Sequence, residues 1–106
     1  MFTLQIEHAV RDFRVWRRAF DSDPLNRAAS GVVSYRISRP IGQDNYVMVD
    51  LDFETQEAAV FFLAKLQDEV WTTGAAASAL LGEPTTRVLE TLAVVTVRAP
   101  SGPDVS

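Results

Sequence analysis

Apolar and polar residues alternate at the start of the chain, with Phe2, Leu4 and Ile6 set against Thr3, Gln5 and Glu7. A period of two marks a half-buried strand, because successive side chains leave the backbone on opposite sides. At Asp12 the period lengthens. Phe13, Trp16, Ala19 and Phe20 recur at helical spacing, with Arg11, Arg14, Arg17 and Arg18 on the other sides. The Asp12 carboxylate is placed to accept from the free first-turn amides. Asp23-Pro24 predicts a stop near Ser22, since the residue before proline is pushed out of the helical region. Alternation returns in Val33, Tyr35 and Ile37 against Ser34, Arg36 and Ser38. It appears again in Val47, Val49, Leu51 and Phe53 against Tyr46, Met48, Asp50 and Asp52. The turn-forming stretch between Pro40 and Asn45 joins these two strands as an antiparallel hairpin.

Thr55 predicts the cap of a second helix, with Glu57 in its first turn and a stripe of Ala59, Phe62, Leu63, Leu66 and Val70. A short Ala-rich helical piece, Ala75 to Leu81, is expected to stop at Gly82 with Pro84 beyond. A last strand is expected from about Thr86 to Val97. Residues 99–106 hold two Pro, a Gly and two Ser and are expected to form a disordered tail, leaving 1–98 as one domain.

The order β-α-β-β-α-β is the split βαβ pattern, an α+β fold of ferredoxin-like type. Right-handed crossovers put both helices on one face of an antiparallel sheet. Strand phase assigns the apolar set, Phe2, Val33, Tyr35 and Ile37 included, to the helix side. The other face collects Thr3, Gln5, Glu7, Arg36, Tyr46, Met48, Asp50 and Asp52 and has no cover within the chain.

Composition narrows the function classes. The chain has 106 residues, 47% of them hydrophobic, and a net charge of −4 from 10 basic and 14 acidic side chains. That balance argues against a nucleic-acid backbone as partner. Cysteine is absent and there is one histidine, so disulfides, thiolate metal sites and Cys nucleophiles are excluded. No metal and no cofactor are expected. No apolar run approaches the ~20 residues of a membrane span. The alternating first residues are unlike a signal peptide, which makes the cytoplasm the expected compartment.

Several segments carry a family resemblance. They are Asp12-Phe13-Arg14-Val15-Trp16-Arg17-Arg18-Ala19-Phe20-Asp21, Asp23-Pro24-Leu25-Asn26-Arg27, Gly31-Val32, and Asn45 through Phe53. In these the chain resembles the dimeric α/β-barrel superfamily, from about Phe2 to Val97. It looks most like an uncharacterised bacterial branch, near the antibiotic-biosynthesis monooxygenases and the stress-responsive barrels, loosely called cyclase-like. The resemblance implies a homodimer in which two sheets pack face to face, with a cavity inside the barrel or between sheet and helices. Haem-binding members ligate iron through a His for which this chain shows no counterpart.

Each candidate residue has two readings. His8, at the end of the first strand and in helix-side phase, is a candidate general base at a cavity mouth, or a strand-end His bonded to a loop carbonyl. Trp16, with Phe13 and Phe20, lines an aromatic ligand pocket to which Tyr35 adds a hydroxyl, or is ordinary core. Arg36 and Asp50 lie on the uncovered face. Either Arg36 binds a ligand carboxylate and Asp50 accepts a proton, or the two form a cross-strand ion pair at a dimer interface, extended by Glu7 and Arg87. Tyr46 joins Trp16, Tyr35 and Arg36 in the candidate ligand-binding set. Asp21, Asp23 and Arg27 surround a Pro turn that lacks the oxygens for a Ca²⁺ site, so Arg27 is expected to order the loop. Three functions follow: a small barrel protein binding an apolar or aromatic ligand, a cofactor-free monooxygenase or cyclase-like enzyme on an aromatic or polyketide-type substrate, and a purely structural dimer. Fold alone does not choose among them.

Overall fold

The computed structural model describes residues 1–72 and 74–98. The expected tail, 99–106, lies outside the described residues. Strand β1 runs over Phe2–Val10, helix α1 over Phe13–Asp21, β2 over Val32–Ser38, β3 over Tyr46–Phe53, α2 over Gln56–Lys65, α3 over Gly74–Ala79 and β4 over Leu80–Glu90. The strands form one antiparallel sheet in the order β2-β3-β1-β4. This is the βαββαβ arrangement that the alternation and helical spacings predict.

Local chemistry sets the helix ends. The Asp12 carboxylate accepts from the Arg14 amide at 2.8 Å, and the Thr55 hydroxyl accepts from the Ala58 amide at 3.1 Å. Both satisfy first-turn donors that have no partner within the helix. α1 ends where Ser22 caps it, ahead of Asp23-Pro24. α2 does not run straight on to Trp71. It widens into a π-helical turn over Leu66–Val70, closed by the Trp71 amide on the Leu66 carbonyl at 2.9 Å. Such turns displace side chains from the α-helical stripe and recur beside functional sites.

The helices cover one face of the sheet. Leu4, Ile6, Val10, Val47, Val49, Leu51 and Phe53 point into the core, where Trp16 of α1 and Ala59 and Phe62 of α2 meet them. The alternating burial of β1 and β3 follows the predicted phase along both strands.

Three expectations need correction. Val33 is not a core residue: the β2–β3 register shifts between Val32 and Ser34, so Val32 faces the core and Val33 stands half exposed. Two adjacent valines gave the phase no way to choose between them. The Ala-rich helix stops at Ala79, and the last strand begins at Leu80, because Leu80 and Leu81 pair with Val10 and Ala9 of β1. Gly82, at φ 79°, therefore sits within β4 and is not a helix stop. Between Glu7↔Thr85 and Ala9↔Leu81 the β4 side carries the extra residues of a bulge. An edge strand tolerates proline there, since an outward N–H has no ladder partner to lose. Finally, β4 ends at Glu90, not Val97, and residues 91–98 have no regular structure.

Candidate functional site

The sheet separates the candidate residues into two groups. On the helix side, β1 places His8 beneath α1, whose helical spacing brings Phe13, Trp16 and Phe20 onto the same face. The imidazole meets Trp16 edge to face at 6.0 Å between ring centres; Trp16 stacks on Phe20 at 5.1 Å, and Phe20 meets Tyr35 at 5.2 Å. His8, Trp16 and Tyr35 thus lie along one aromatic chain, but Tyr35 stands at its exposed end and, unlike His8 and Trp16, does not line the cavity that follows. On the outer face lie Arg36, Asp50 and Tyr46, which the structure does not bring to the same site.

A cavity of about 70 Å³ opens between α1, the π turn and the sheet. Its walls include His8, Trp16, Phe20, Leu66, Val70 and Trp71, with Asp23 and Arg27 as its charged members. Water needs ~10–15 Å³ of such space, and an apolar cavity of ~150 Å³ takes a benzene ring. This void therefore takes one small ring after a modest outward shift of its walls. A polycyclic substrate needs a larger displacement of α1.

His8 is buried, at 4% exposure, and its Nδ1 lies 3.2 Å from the Ala9 carbonyl oxygen. A carbonyl only accepts, so this contact assigns the proton to Nδ1 and leaves Nε2 as an acceptor. Burial pushes the imidazole below its usual pKa of 6.5, and the bond to Ala9 opposes that in part. The folded chain thus keeps His8 neutral where the unfolded chain already binds a proton. Stability is fully present above the unfolded pKa and declines as the pH falls from 6.5 toward the lower folded value. Melting temperature is expected to fall between about pH 7.5 and about pH 5.5. His8→Gln should flatten that slope in a thermal denaturation series, and an unchanged slope would show that His8 titrates alike in both states.

Arg27 is the site residue that the sequence undervalued. Its side chain is largely buried; one terminal nitrogen donates to the Phe20 carbonyl at 2.7 Å and Nε lies 3.6 Å from the Asp23 carboxylate. The expected loop-ordering contacts are therefore present. The guanidinium also covers the Phe20 ring at 4.0 Å and the Tyr35 ring at 5.0 Å, a cation–π arrangement that places the Arg27–Asp23 ion pair on a cavity wall that is otherwise mostly apolar. Asp23 and Asn26, with φ of 54° and 52°, hold the loop in the left-handed region that Asp and Asn enter more readily than other side chains. The only sequence signal was the Asp23/Arg27 spacing.

The outer face is a ladder of polar rows across β2, β3 and β1. Asp52 accepts from Thr3 at 2.6 Å and from Ser34 at 2.8 Å; Asp50 accepts from Gln5 at 3.2 Å and from Arg36 at 3.0 Å. Arg36 and Asp50 are directly opposed in register. Tyr46 donates to Glu7 at 2.7 Å, and that carboxylate, with a smaller contribution from desolvation, holds the phenol above its usual pKa of 10.0. Glu7 is thus joined to Tyr46, while Arg87 stands opposite Gln5 in the next strand. Among the described residues no group of three or more His, Cys, Asp or Glu is placed to hold a metal ion, and no helix is long and apolar enough to cross a membrane.

No protein-family model and no curated protein matches the chain. Solved structures do. A monooxygenase from the gene ActVA-Orf6 of Streptomyces coelicolor, in complex with nanaomycin D, superposes with a TM-score of 0.62 at 13% identity, over 91% of this chain and 91% of that one. SnoaB, a cofactor-independent oxygenase from Streptomyces nogalater, gives 0.59 at 18% identity over 91% and 95%. A dimeric ferredoxin-like protein from an uncultured marine organism gives 0.60 at 14% identity over 89% and 97%. At these identities the likeness establishes the fold: a ferredoxin-like α+β chain, built like dimeric ferredoxin-like proteins and antibiotic-biosynthesis-monooxygenase-like proteins.

Proposed function

We propose that the cavity beneath α1 binds a small apolar or aromatic molecule and that the protein works as a homodimer. The observation that carries the ligand reading is a cavity walled by Trp16, Phe20, Trp71 and the buried His8. Apolar walls supply the driving force for a ring to leave water, and one acceptor nitrogen and one guanidinium orient its polar substituent. The dimer reading is supported by the outer face, whose half-buried Thr3, Gln5, Met48 and Asp50 no helix or strand among the described residues covers, and by the dimeric neighbour. Residues 1–98 form one domain in this reading. The acidic balance supports the absence of a nucleic-acid partner, and the cysteine-free composition supports a cytoplasmic setting.

A second reading is cofactor-free oxygenation of an electron-rich ring. The position of His8 favours it, since its ring lines the cavity with Nδ1 on the Ala9 carbonyl and Nε2 left to accept a phenolic proton, and two of the structural neighbours are named as oxygenases. One experiment tests both. Titration with p-cresol, followed by tryptophan fluorescence, should give saturable quenching that Ala19→Phe, which fills the cavity, abolishes without unfolding the chain. Absence of saturation overturns the ligand reading. Dioxygen uptake on the same samples, lost in His8→Gln, is expected only if the second reading holds.

A further inference from the structure

Two departures from regular backbone supply the walls of a second hollow. The π turn carries Gln67 and, just past its end, Trp71 to one side; the β4 bulge carries Gly82, Glu83 and Pro84 to the other. This hollow holds about 530 Å³, against about 70 Å³ for the cavity beneath α1. That lies within the ~300–1,000 Å³ usual for small-molecule sites. π turns and bulges both interrupt a regular ladder and re-aim side chains, and both recur at functional sites. The bulge falls between Glu7↔Thr85 and Ala9↔Leu81, so Gly82, Glu83 and Pro84 stand opposite His8, a wall of the inner cavity. Trp71 and Leu80 line both spaces.

The charge of the outer hollow is one-sided. Among the described residues that line it, Glu83 is the one ionisable side chain, and its carboxylate forms no ion pair with any described residue. In the inner cavity, by contrast, Asp23 has Arg27 as counter-charge at 3.6 Å. A carboxylate without a counter-ion, beside an indole ring, fits an organic cation. The ring face attracts an ammonium group, the carboxylate neutralises it, and the apolar atoms of Trp71, Leu80 and Pro84 cover an alkyl chain. An anion placed there meets like charge.

We propose that the ligand is an arylalkylamine. Its ring occupies the cavity beneath α1, its alkyl chain passes Trp71 and Leu80, and its ammonium group sits in the outer hollow against Glu83 and the Trp71 ring. The proposal rests on the ligand reading above and adds to it the chemical class of the ring's substituent and the residues that select it.

Four phenols that differ only in the substituent test it: p-cresol, the neutral alcohol tyrosol, the cation tyramine and the anion p-hydroxyphenylacetate. The amine p-(aminobutyl)phenol extends the reach of tyramine. In tryptophan quenching at neutral pH, at least one amine should bind roughly ten-fold tighter than tyrosol, and the anion more weakly than tyrosol. Glu83 is exposed, so Glu83→Gln leaves the core intact. It should bring the amines to the level of tyrosol and leave p-cresol unchanged. Glu90→Gln, at the far end of β4, makes the same change in net charge and should leave the amine preference as it was. Suppose p-cresol saturates but neither amine binds tighter than tyrosol, or the preference survives Glu83→Gln, or Glu90→Gln removes it equally. Then the amine proposal falls and the ligand reading stands. If none of the phenols saturates, both fall.

Discussion

Trp16→Ala is expected to remove about 3–5 kcal/mol of stability, the cost usual for truncating a buried large aromatic. Trp16 is 6% exposed and packs against Phe13, Phe20 and His8. It is the one buried residue of α1, so it carries most of that helix's attachment to the sheet. Domains of this size have roughly 5–15 kcal/mol in total, so the variant should melt lower by about 12 °C or more, or fail to fold. Because Trp16 also forms a cavity wall, lost ligand binding in Trp16→Ala does not separate a pocket role from a packing role. Trp16→Phe does: it keeps a ring over the sheet, should cost much less, and should still change p-cresol quenching. A Trp16→Ala protein with an unaltered melting temperature would show that α1 is held by other contacts and that Trp16 serves the cavity alone.

This double duty explains which parts of the site were legible. In β1 and β3 one face is buried strictly, so alternation reports orientation directly and puts His8 on the helix side. Trp16 was equally visible as a member of a helical stripe, but a stripe has the same spacing whether its far side meets solid core or a void. The void depends on two features without a periodic signature. One is the π turn at Leu66–Val70, which carries Leu66, Val70 and Trp71 around the cavity. The other is the left-handed loop that folds Arg27 back over Phe20 and Tyr35. The start of β4 is hidden in the sequence for a different reason. Gly82 and Pro84 are strong breakers in isolation, but an edge strand opposite a bulge absorbs both. Here tertiary pairing of Leu80 and Leu81 with β1 overrides the local signal.

On the outer face the expected result is that Arg36 and Asp50 couple in the dimer. In the single chain the Arg36 side chain is 73% exposed and Asp50 21%, and an ion pair open to water in this way is worth only ~0.2–1 kcal/mol. A second copy packed on the face would remove much of that water. Losing one partner would then leave a charge stranded at the interface, and the coupling should rise to ~1–3 kcal/mol. Asp50→Ala should weaken the dimer more than Arg36→Ala, because Asp50 also accepts from Gln5 and its loss leaves two donors without an acceptor. The double variant should recover part of the loss. A double-mutant cycle on dimer dissociation reads this directly. Coupling of ~1 kcal/mol or more places the pair inside the interface, whereas a value near that of exposed pairs leaves the face in water. Coupling near zero would show the two residues to be independent, with the Asp50 carboxylate free to act as a lone acid or base.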